Sequence, residues 1–343
     1  MNKINITGMN LEEMRLLTQS LGEANYRADQ LFNWIYSKQV RSFDSMTNFS
    51  LDYRRRIAEI ANIGYVRISK LLSSISNQTK KFLFELNDKR YIESVYMKDD
   101  TRITLCLSSQ VGCSLGCSFC ATGRMGFIRN LSAGEIVDQV LYIQQHLNSK
   151  ATNVVLMGMG EPFLNYNNVL KACDILSDMK GVAISKRKIT ISTAGVVPRI
   201  KQFAKEGYKY KLAISLNAPD QVTRSRLMPI NDKYPLSDLI AAAKEYTNAS
   251  GERITFEYVL INGVNDHPEH AARLKKLLAG FKCKLNIIPY NSTDEKLDTP
   301  SEEKINAFVR HFLKMDIIIS VRRSKGIDIN AACGQLYSQS MSS

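Results

Sequence analysis

The spacing of apolar residues predicts helices in the first 62 positions of the chain. Apolar side chains recur every three or four residues in the segments LEEMRLLTQSL, YRADQLFNWIYSK and DYRRRIAEIA, which is the repeat of an amphipathic helix. Asn10 and Glu13 occupy the two positions of a capping box at the start of the first segment. Residues 1–62 are therefore predicted to form a small helical accessory domain.

The pattern changes after position 62 to short segments in which apolar and polar residues alternate. YVRISKLLS, KKFLFEL and RYIESVYMK show this alternation, and NDK between the last two supplies turn residues. Residues 63–98 are predicted to form a β-rich connector that leads into the rest of the chain.

From residue 99 to residue 343, apolar β-type runs alternate with helical segments such as SAGEIVDQVLYIQQHL. The runs are RITLCLS, NVVLMG, KITIST, KLAISLN, ITFEYVLI and KLNIIPY. Near-continuous apolar strands separated by helices indicate a parallel sheet covered by helices, so the chain is assigned to the α/β class with a partial (β/α)6 TIM-like barrel. An open doubly wound sheet is the alternative. Both folds bind ligands at the carboxyl ends of the strands, where GMGEP, STAG, SLN and PYN occur.

The chain is basic, with 46 Lys and Arg against 33 Asp and Glu and a formal net charge of +13. Such an excess attracts polyanions such as RNA, and Arg54–Arg56, Lys186–Lys188 and Arg322–Lys325 are candidate phosphate contacts. A solvated charged face is the other interpretation of each segment. The sequence shows no leader segment or apolar run long enough to span a bilayer, so a cytoplasmic protein without membrane contact is expected.

Three of the seven cysteines form a C-x3-C-x2-C motif just after the first strand of the predicted barrel. Cys113, Cys117 and Cys120 lie on one short loop and could bind three irons of a [4Fe–4S] cluster. The fourth iron would stay open for a small molecule with an amine and a carboxylate, such as S-adenosylmethionine (SAM), whose sulfonium can release a carbon radical on reduction.

A zinc site is the alternative for the cysteine triplet. Zinc would need a fourth ligand such as His146, His267, His270 or Cys173, and none of these residues stands at a usual second-pair spacing. His267 and His270 flank Pro268, which is typical of a helix start. The iron–sulfur cluster is therefore favoured.

Several segments together resemble a known family. The cysteine loop with Phe119, GMGEP at 158–162, LMPIN at 227–231 and AACGQL at 331–336 resemble the dual-specificity ribosomal and transfer RNA adenine-C2 methyltransferases of the radical SAM superfamily. The likeness covers nearly the whole chain. It implies a radical SAM barrel over residues 99–343, one [4Fe–4S] cluster with three cysteine ligands, and SAM as the second cofactor.

The resemblance also implies the residues of the chemistry. Cys333 in AACGQL matches the cysteine that receives a methyl group from one SAM, and Cys106 in TLCLSSQ matches the cysteine that resolves the covalent enzyme–RNA intermediate. Glu93 in YIESVYMK matches a proposed proton acceptor at the substrate base. The other interpretation is a buried small side chain for each cysteine and an exposed strand carboxylate for Glu93. Cys173 and Cys283 match no catalytic position and are interpreted as core residues.

Seven further positions match the SAM-binding residues of the family. They are Gly160, Glu161, Ser192, Ser215, Leu216, Asn217 and Asn291. The glycine permits close backbone approach, and the carboxylate, hydroxyl and amide groups can bind the amine, ribose and carboxylate of SAM. Ordinary turn chemistry is the other interpretation of the serines. The family usually has His where this chain has Asn217, which cannot change charge near neutral pH.

The implied reaction uses two SAM molecules and a methylated cysteine to methylate C2 of an adenine in 23S ribosomal RNA and in transfer RNA. The resolving step leaves a disulfide that must be reduced. Flavodoxin or ferredoxin is the implied electron donor, and a monomer is expected. The related adenine-C8 methyltransferases of antibiotic resistance are the alternative within the superfamily, whereas a non-catalytic iron–sulfur RNA-binding protein and a radical SAM enzyme acting on a peptide or metabolite are alternatives of other kinds.

Overall fold

A computed structural model of the chain describes residues 3–293 and 296–336. The N-terminal region holds three α-helices and one pair of short parallel strands. These elements are β1 (Ile4–Asn5), α1 (Leu11–Ser20), α2 (Tyr26–Phe32), α3 (Leu51–Ile60) and β2 (Ala61–Asn62). The predicted capping box is present, because the Asn10 side chain accepts from the Glu13 N–H at 2.9 Å and the Glu13 carboxylate accepts from the Asn10 N–H at 2.8 Å.

Three antiparallel strands follow, as the alternating pattern predicts. They are β3 (Arg67–Ser73), β4 (Thr79–Glu85) and β5 (Tyr91–Asp99). The turn between β4 and β5 places Lys89 at φ 62°, and the Leu86 N–H donates to the Arg90 carbonyl at 2.8 Å. These strands extend the large sheet of the molecule, so residues 63–98 do more than connect two regions.

All six strands predicted for the barrel are present and parallel. The remaining elements are β6 (Arg102–Cys106), β7 (Gln110–Gly112), α4 (Ala121–Arg124), β8 (Phe127–Asn130), α5 (Ala133–Leu147), β9 (Asn153–Leu156), α6 (Tyr166–Ser177), β10 (Ile189–Thr193), α7 (Val197–Glu206), β11 (Lys211–Ser215), α8 (Gln221–Leu227), α9 (Ile230–Lys233), α10 (Leu236–Ser250), β12 (Ile254–Leu260), α11 (Pro268–Leu278), β13 (Cys283–Pro289), α12 (Glu302–Arg310) and β14 (Ile318–Val321). The last of these adds a seventh parallel strand beside β13. As expected, Pro268 begins a helix.

The strand order separates the barrel from the doubly wound alternative. The ten-stranded sheet runs β14-β13-β12-β11-β10-β9-β6-β5-β4-β3, so the parallel strands follow one another without the reversal that a doubly wound sheet requires. In a flat sheet β14 and β9 would lie about 24 Å apart. Arg322, just after β14, nevertheless places its Nη1 atom 3.8 Å from Sδ of Met157, just after β9. The sheet is therefore strongly curved, as in a barrel.

The N-terminal region packs on the outer helices of this curved sheet. Arg41 forms an ion pair with the buried Asp138 of α5, with Nη1 and Oδ1 2.6 Å apart, and Lys171 of α6 pairs with Glu13 at 2.6 Å. Burial raises the pKa of Asp138, and the Arg41 guanidinium opposes that shift.

The division into residues 1–62, 63–98 and 99–343 stays a prediction. No helix in the described ranges is both long and apolar enough to cross a bilayer.

Candidate active site

The three clustered cysteines lie on the loop between β7 and α4. Cys113 directly follows β7, and its N–H donates to the Gly126 carbonyl at 2.8 Å. Cys120 stands at the N-terminal boundary of α4, and its N–H donates to the Cys117 carbonyl at 3.1 Å. Backbone hydrogen bonds thus fix both ends of the loop.

Burial raises the pKa of all three of these thiols, and it raises the pKa of Cys113 to about 12. A negative charge on Cys120 would raise the pKa of the other two further. The three thiolates would therefore need bound cations to form, and cation binding would release their protons.

Three neighbouring thiols on one loop fit a [4Fe–4S] cluster, in which each ligated iron takes one cysteine sulfur. Cys113, Cys117 and Cys120 would hold three irons, and the fourth would remain for a ligand with an amine and a carboxylate. Within residues 3–293 and 296–336, no three or more His, Cys, Asp or Glu side chains are arranged as a site for a single metal ion.

The C-terminal segment that carries Cys333 docks directly on the cysteine loop. The Ala121 N–H donates to the Gly334 carbonyl at 2.7 Å, and the Thr122 hydroxyl donates to the Leu336 carbonyl at 2.6 Å across 214 residues of sequence. Gly334 has φ 84°, and a Cβ atom there would lie 3.2 Å from the Phe119 carbonyl oxygen. A side chain at this position would be strained and would press on the loop.

Cys106 and Cys333 both lie within electrostatic range of Arg322. Cys106 is the last residue of β6, and burial raises its pKa to about 12. A negative charge on Cys333 would raise that pKa further, whereas the guanidinium of Arg322 lowers it, so the two sulfurs and the guanidinium share one region. Both cysteines are free thiols in the described part of the chain. The predicted disulfide between them stays a prediction.

Glu93 is buried, and not an exposed strand carboxylate. It lies on β5, is 4% exposed, and places Oε1 2.9 Å from Nζ of Lys81. Register pairs Lys81 with Val95 and Val95 with Cys106, so Glu93, Lys81 and Cys106 belong to the same face of the sheet. Strand pairing thus puts the predicted proton acceptor on the same face as the predicted resolving thiol, two residues along β5 from the partner of Cys106.

A cavity of about 850 Å³ opens beside these residues. Its lining includes Lys70, Lys81 and Glu93 from the antiparallel strands, and Ala121 and Arg124 from α4 at the end of the cysteine loop. Asn330 and Gln335 from the C-terminal segment complete one wall. The cavity therefore joins the cysteine loop, the Cys333 segment and Glu93, and its lining is rich in basic groups.

Glu161 and Gly160 stand after β9, as the barrel predicts for ligand-binding residues. The Glu161 carboxylate accepts from the N–H groups of Phe163 at 3.0 Å and Ala194 at 2.8 Å, and burial raises its pKa to about 7. Gly160 has φ 95°, and a Cβ atom there would lie 2.4 Å from Cβ of Gln110. The glutamate thus links the ends of β9 and β10, and the glycine is required by close packing.

The serines and Leu216 occupy the ends of the next two strands. Ser192 on β10 and Ser215 on β11 are half-buried, and Leu216 is fully buried. These positions lie at the carboxyl edge of the sheet. The cysteine loop lies on the same side, because the Ser118 N–H donates at 3.0 Å to the carbonyl of Leu227, the last residue of the helix α8 that follows β11.

The side chain of Asn217 is bonded within the protein. It accepts from the Val259 N–H at 2.9 Å and donates to Sδ of Met228 at 3.2 Å, at a backbone φ of 58°. Asn tolerates this left-handed conformation better than most residues. Asn291 instead donates to the Ser324 hydroxyl at 2.9 Å and to the Cys333 carbonyl at 3.3 Å, so it positions the Cys333 segment.

Sequence reasoning missed Arg224, which organises the strand ends beneath the cysteine loop. This fully buried guanidinium donates to the carbonyls of Leu216 at 3.1 Å and Ala194 at 2.6 Å, and to Asn231 at 2.9 Å. Burial lowers the pKa of Arg224 to about 10, and a negative Cys117 would raise it. Its only sequence signal is its position three residues before the LMPIN segment.

Cys173 and Cys283 are buried apart from the cavity lining, on α6 and at the start of β13. Burial raises the pKa of Cys173, and it raises that of Cys283 to about 11. Their interpretation as core residues is confirmed.

Comparison with known proteins gives the class to which this fold and site belong. Residues 107–303, more than half of the chain, match the radical SAM superfamily, and residues 4–63 match the ribosomal RNA large subunit methyltransferase N-terminal domain. A crystal structure of a radical SAM methyltransferase from Sphaerobacter thermophilus superposes with a TM-score of 0.94 and 41% identity, over 97% of this chain and 99% of that one. The chain is a radical SAM protein, and the predicted fold class is confirmed.

Full-length relatives narrow the class to a family. The dual-specificity RNA methyltransferase RlmN of Syntrophus aciditrophicus is 45% identical over 99% of this chain and 98% of its own length. A probable dual-specificity RNA methyltransferase RlmN of Thermotoga sp. (strain RQ2) is 46% identical over 97% of each chain. The chain belongs to the RlmN family of dual-specificity RNA methyltransferases.

Family membership confirms the predicted enzyme class and the predicted cofactors, a [4Fe–4S] cluster and SAM. It does not favour the adenine-C8 alternative. The roles of individual residues stay predictions.

Proposed function

We propose that this chain methylates C2 of an adenine in 23S ribosomal RNA and in transfer RNA, and that Cys333 carries the methyl carbon. The full-length RlmN relatives support the class of reaction. The observation that carries the assignment is the placement of Cys333, because its segment accepts hydrogen bonds from Ala121 and Thr122 at the end of the cysteine loop and from Asn291 after β13. One sulfur can thus receive a methyl group, reach the cluster region and be attacked by a second sulfur.

The three cysteines Cys113, Cys117 and Cys120 are the proposed cluster ligands. The cluster and SAM, when bound, supply a carbon radical able to take a hydrogen atom from a methyl group on Cys333. Gly160, Glu161, Ser192, Ser215, Leu216, Asn217 and Asn291 are the proposed SAM-binding residues. Of these, Asn217 would act by holding the SAM-binding strand ends in place, because its side-chain amide accepts from the Val259 N–H and donates to Sδ of Met228.

The chain's own groups divide the remaining work. Cys333 presents the carbon that bonds to C2, and Glu93 accepts the proton that leaves C2. The thiol of Cys106 then loses its proton and its sulfur bonds to the sulfur of Cys333 as the carbon–sulfur bond breaks, and the released carbon gains a proton to become a methyl group. One electron leaves the radical adduct in this step, which balances the single electron that starts the reaction. The disulfide left behind must be reduced, and flavodoxin or ferredoxin is the proposed source of electrons for the cofactor.

RNA would reach the site through the cavity between the antiparallel strands and the cysteine loop. An adenine must leave its stack for C2 to be accessible. Lys70 in the lining is exposed and can meet a phosphate. Several cations of the three basic sequence segments pair with carboxylates, such as Arg56 with Asp52 and Arg323 with Glu302. We also propose that residues 1–62 contribute to RNA binding, and that the enzyme is a cytoplasmic monomer.

The decisive experiment replaces the resolving thiol. Cys106→Ala should methylate Cys333 and attack RNA but fail to release it, because no second sulfur can form the disulfide. Denaturing electrophoresis after incubation with SAM, a reductant and RNA should show a nuclease-sensitive band of trapped RNA. Cys333→Ala and the double variant should show none, and digested product RNA from the parent enzyme should contain 2-methyladenosine. Normal release of methylated RNA by Cys106→Ala would refute the covalent scheme.

A further inference from the structure

Lys81 has an unusual place for a lysine of a β-strand. It lies in the middle of β4, its residue is 8% exposed, and its neighbour Lys80 points to the opposite face of the sheet. Moving an ammonium out of water is costly unless it is paired and hydrogen-bonded. A lysine that served only to keep the protein soluble would be exposed, so solubility does not explain the buried position of Lys81.

Its ammonium contacts two parts of the active site. Nζ lies 2.9 Å from Oε1 of Glu93 and donates to the Asn330 carbonyl at 3.1 Å. Asn330 stands three residues before Cys333 and has a backbone φ of 50°. One cation thus connects the proposed proton acceptor to the segment that carries the proposed methyl-bearing sulfur.

Docking of the C-terminal segment does not depend on this contact alone. Asp328 accepts from the Ile75 N–H at 2.8 Å, and Gly326 packs so closely on Thr79 that a Cβ atom there would lie 2.6 Å from its Cγ2. The loop bonds from Ala121 and Thr122 hold the other end. Lys81 is therefore placed to fix the geometry between Glu93 and the segment, more than to attach the segment.

We propose that Lys81 is a positioning residue that holds the Glu93 carboxylate against the Asn330 carbonyl, so that Glu93 faces C2 of an adenine bonded to Cys333. This inference rests on the proposed function. Glu93 touches the substrate carbon in that scheme, and Lys81 acts through Glu93. Proton transfer from C2 is the step that depends on Lys81, whereas methylation of Cys333 does not.

The test compares Lys81→Met, Lys81→Gln and Lys81→Arg with the matched control Lys80→Met. Each variant is measured as the full-length holoenzyme for iron content, for Cys333 methylation without RNA by mass spectrometry, and for the single-turnover rate of RNA methylation. Lys81→Met and Lys81→Gln should lower that rate about 10- to 100-fold, which is the scale of a small misplacement of a reacting group. Iron content, Cys333 methylation and the KM for RNA should match the parent.

Two comparisons separate positioning from a structural role. Lys81→Arg should recover part of the rate, because it keeps a cation between the two acceptors. Lys81→Met combined with Glu93→Gln should be no slower than Glu93→Gln alone, since Lys81 acts through that carboxylate. Lys80→Met, on the other face of β4, should keep the parental rate.

A Lys81→Met rate equal to that of the parent would overturn the inference, and so would multiplicative losses in the double variant or loss of Cys333 methylation. If Lys81→Met does not fold, the Lys81→Gln variant decides the same comparison. Normal turnover by Glu93→Gln would instead show that the proposed role of Glu93 is wrong. Slow Glu93→Gln with normal Lys81 variants would reject only the inference.

Discussion

The parallel and the antiparallel parts of the ten-stranded sheet carry different kinds of chemistry. The parallel part, β6 and β9 to β14, carries polar residues at its strand ends and supports the cysteine loop, which are the features of a cofactor site. The antiparallel part, β3 to β5, carries Glu93 and Lys81 in the middle of strands and on one face. We expect that cofactor and substrate are handled by these two separate walls, and single variants can test that division.

The largest effect is expected in the parallel part. Cys117→Ala removes one of three thiols on a loop with no spare ligand, so it should abolish RNA methylation and lower the iron content. Iron analysis and the broad visible absorption of the reconstituted protein measure the loss. A variant with parental iron content and activity would show that this loop does not bind the cluster.

The antiparallel part should give the next largest effect. Glu93→Gln keeps the size of the side chain but cannot accept the C2 proton, so the rate of RNA methylation should fall about 10²- to 10⁴-fold. Iron content and Cys333 methylation should stay at parental values, unlike those of the Cys117 variant. Loss of Cys333 methylation in this variant would contradict the separation into two walls.

A smaller effect is expected on stability within the parallel part. Asn217→Ala leaves the half-buried Val259 N–H without its 2.9 Å partner, and it should lower the free energy of unfolding by about 1 kcal/mol. Denaturant unfolding of the apo protein measures the change. Asn217→His tests the residue usual in the family, and an unchanged stability of the Ala variant would show that these bonds contribute little.

The smallest effect concerns RNA affinity in the antiparallel part. Lys70 of β3 lines the cavity, and Lys70→Met should weaken binding of all RNA sequences alike. Because the variant has one fewer cation to neutralise a phosphate, the slope of log affinity against log salt should fall in magnitude by about one. Lys80→Met on the outer face of β4 is the control. Equal slopes for both variants would show that the RNA phosphates are not bound at Lys70.

The two walls also differ in how far the sequence revealed them. The cysteine motif and the glycine-containing strand ends are local patterns, so the loop and the six parallel strands could be predicted. Glu93 was found only through resemblance, because a carboxylate in an alternating strand usually faces water. Lys81 and Arg224 were missed, since a strand lysine and a helix arginine carry no local sign of burial.

The sequence by itself determined the order of helices and strands, the cysteine triplet, and the family, because each depends on residue types at short, fixed spacings. Tertiary structure decided which distant residues meet. Curvature of the sheet brings Arg322 to Met157, and docking of the C-terminal segment brings Gly334 to Ala121. Strand register sets Lys81, Val95 and Cys106 in one row. These contacts join residues far apart in the chain, and they depend on packing of the whole sheet, which no short stretch of sequence encodes.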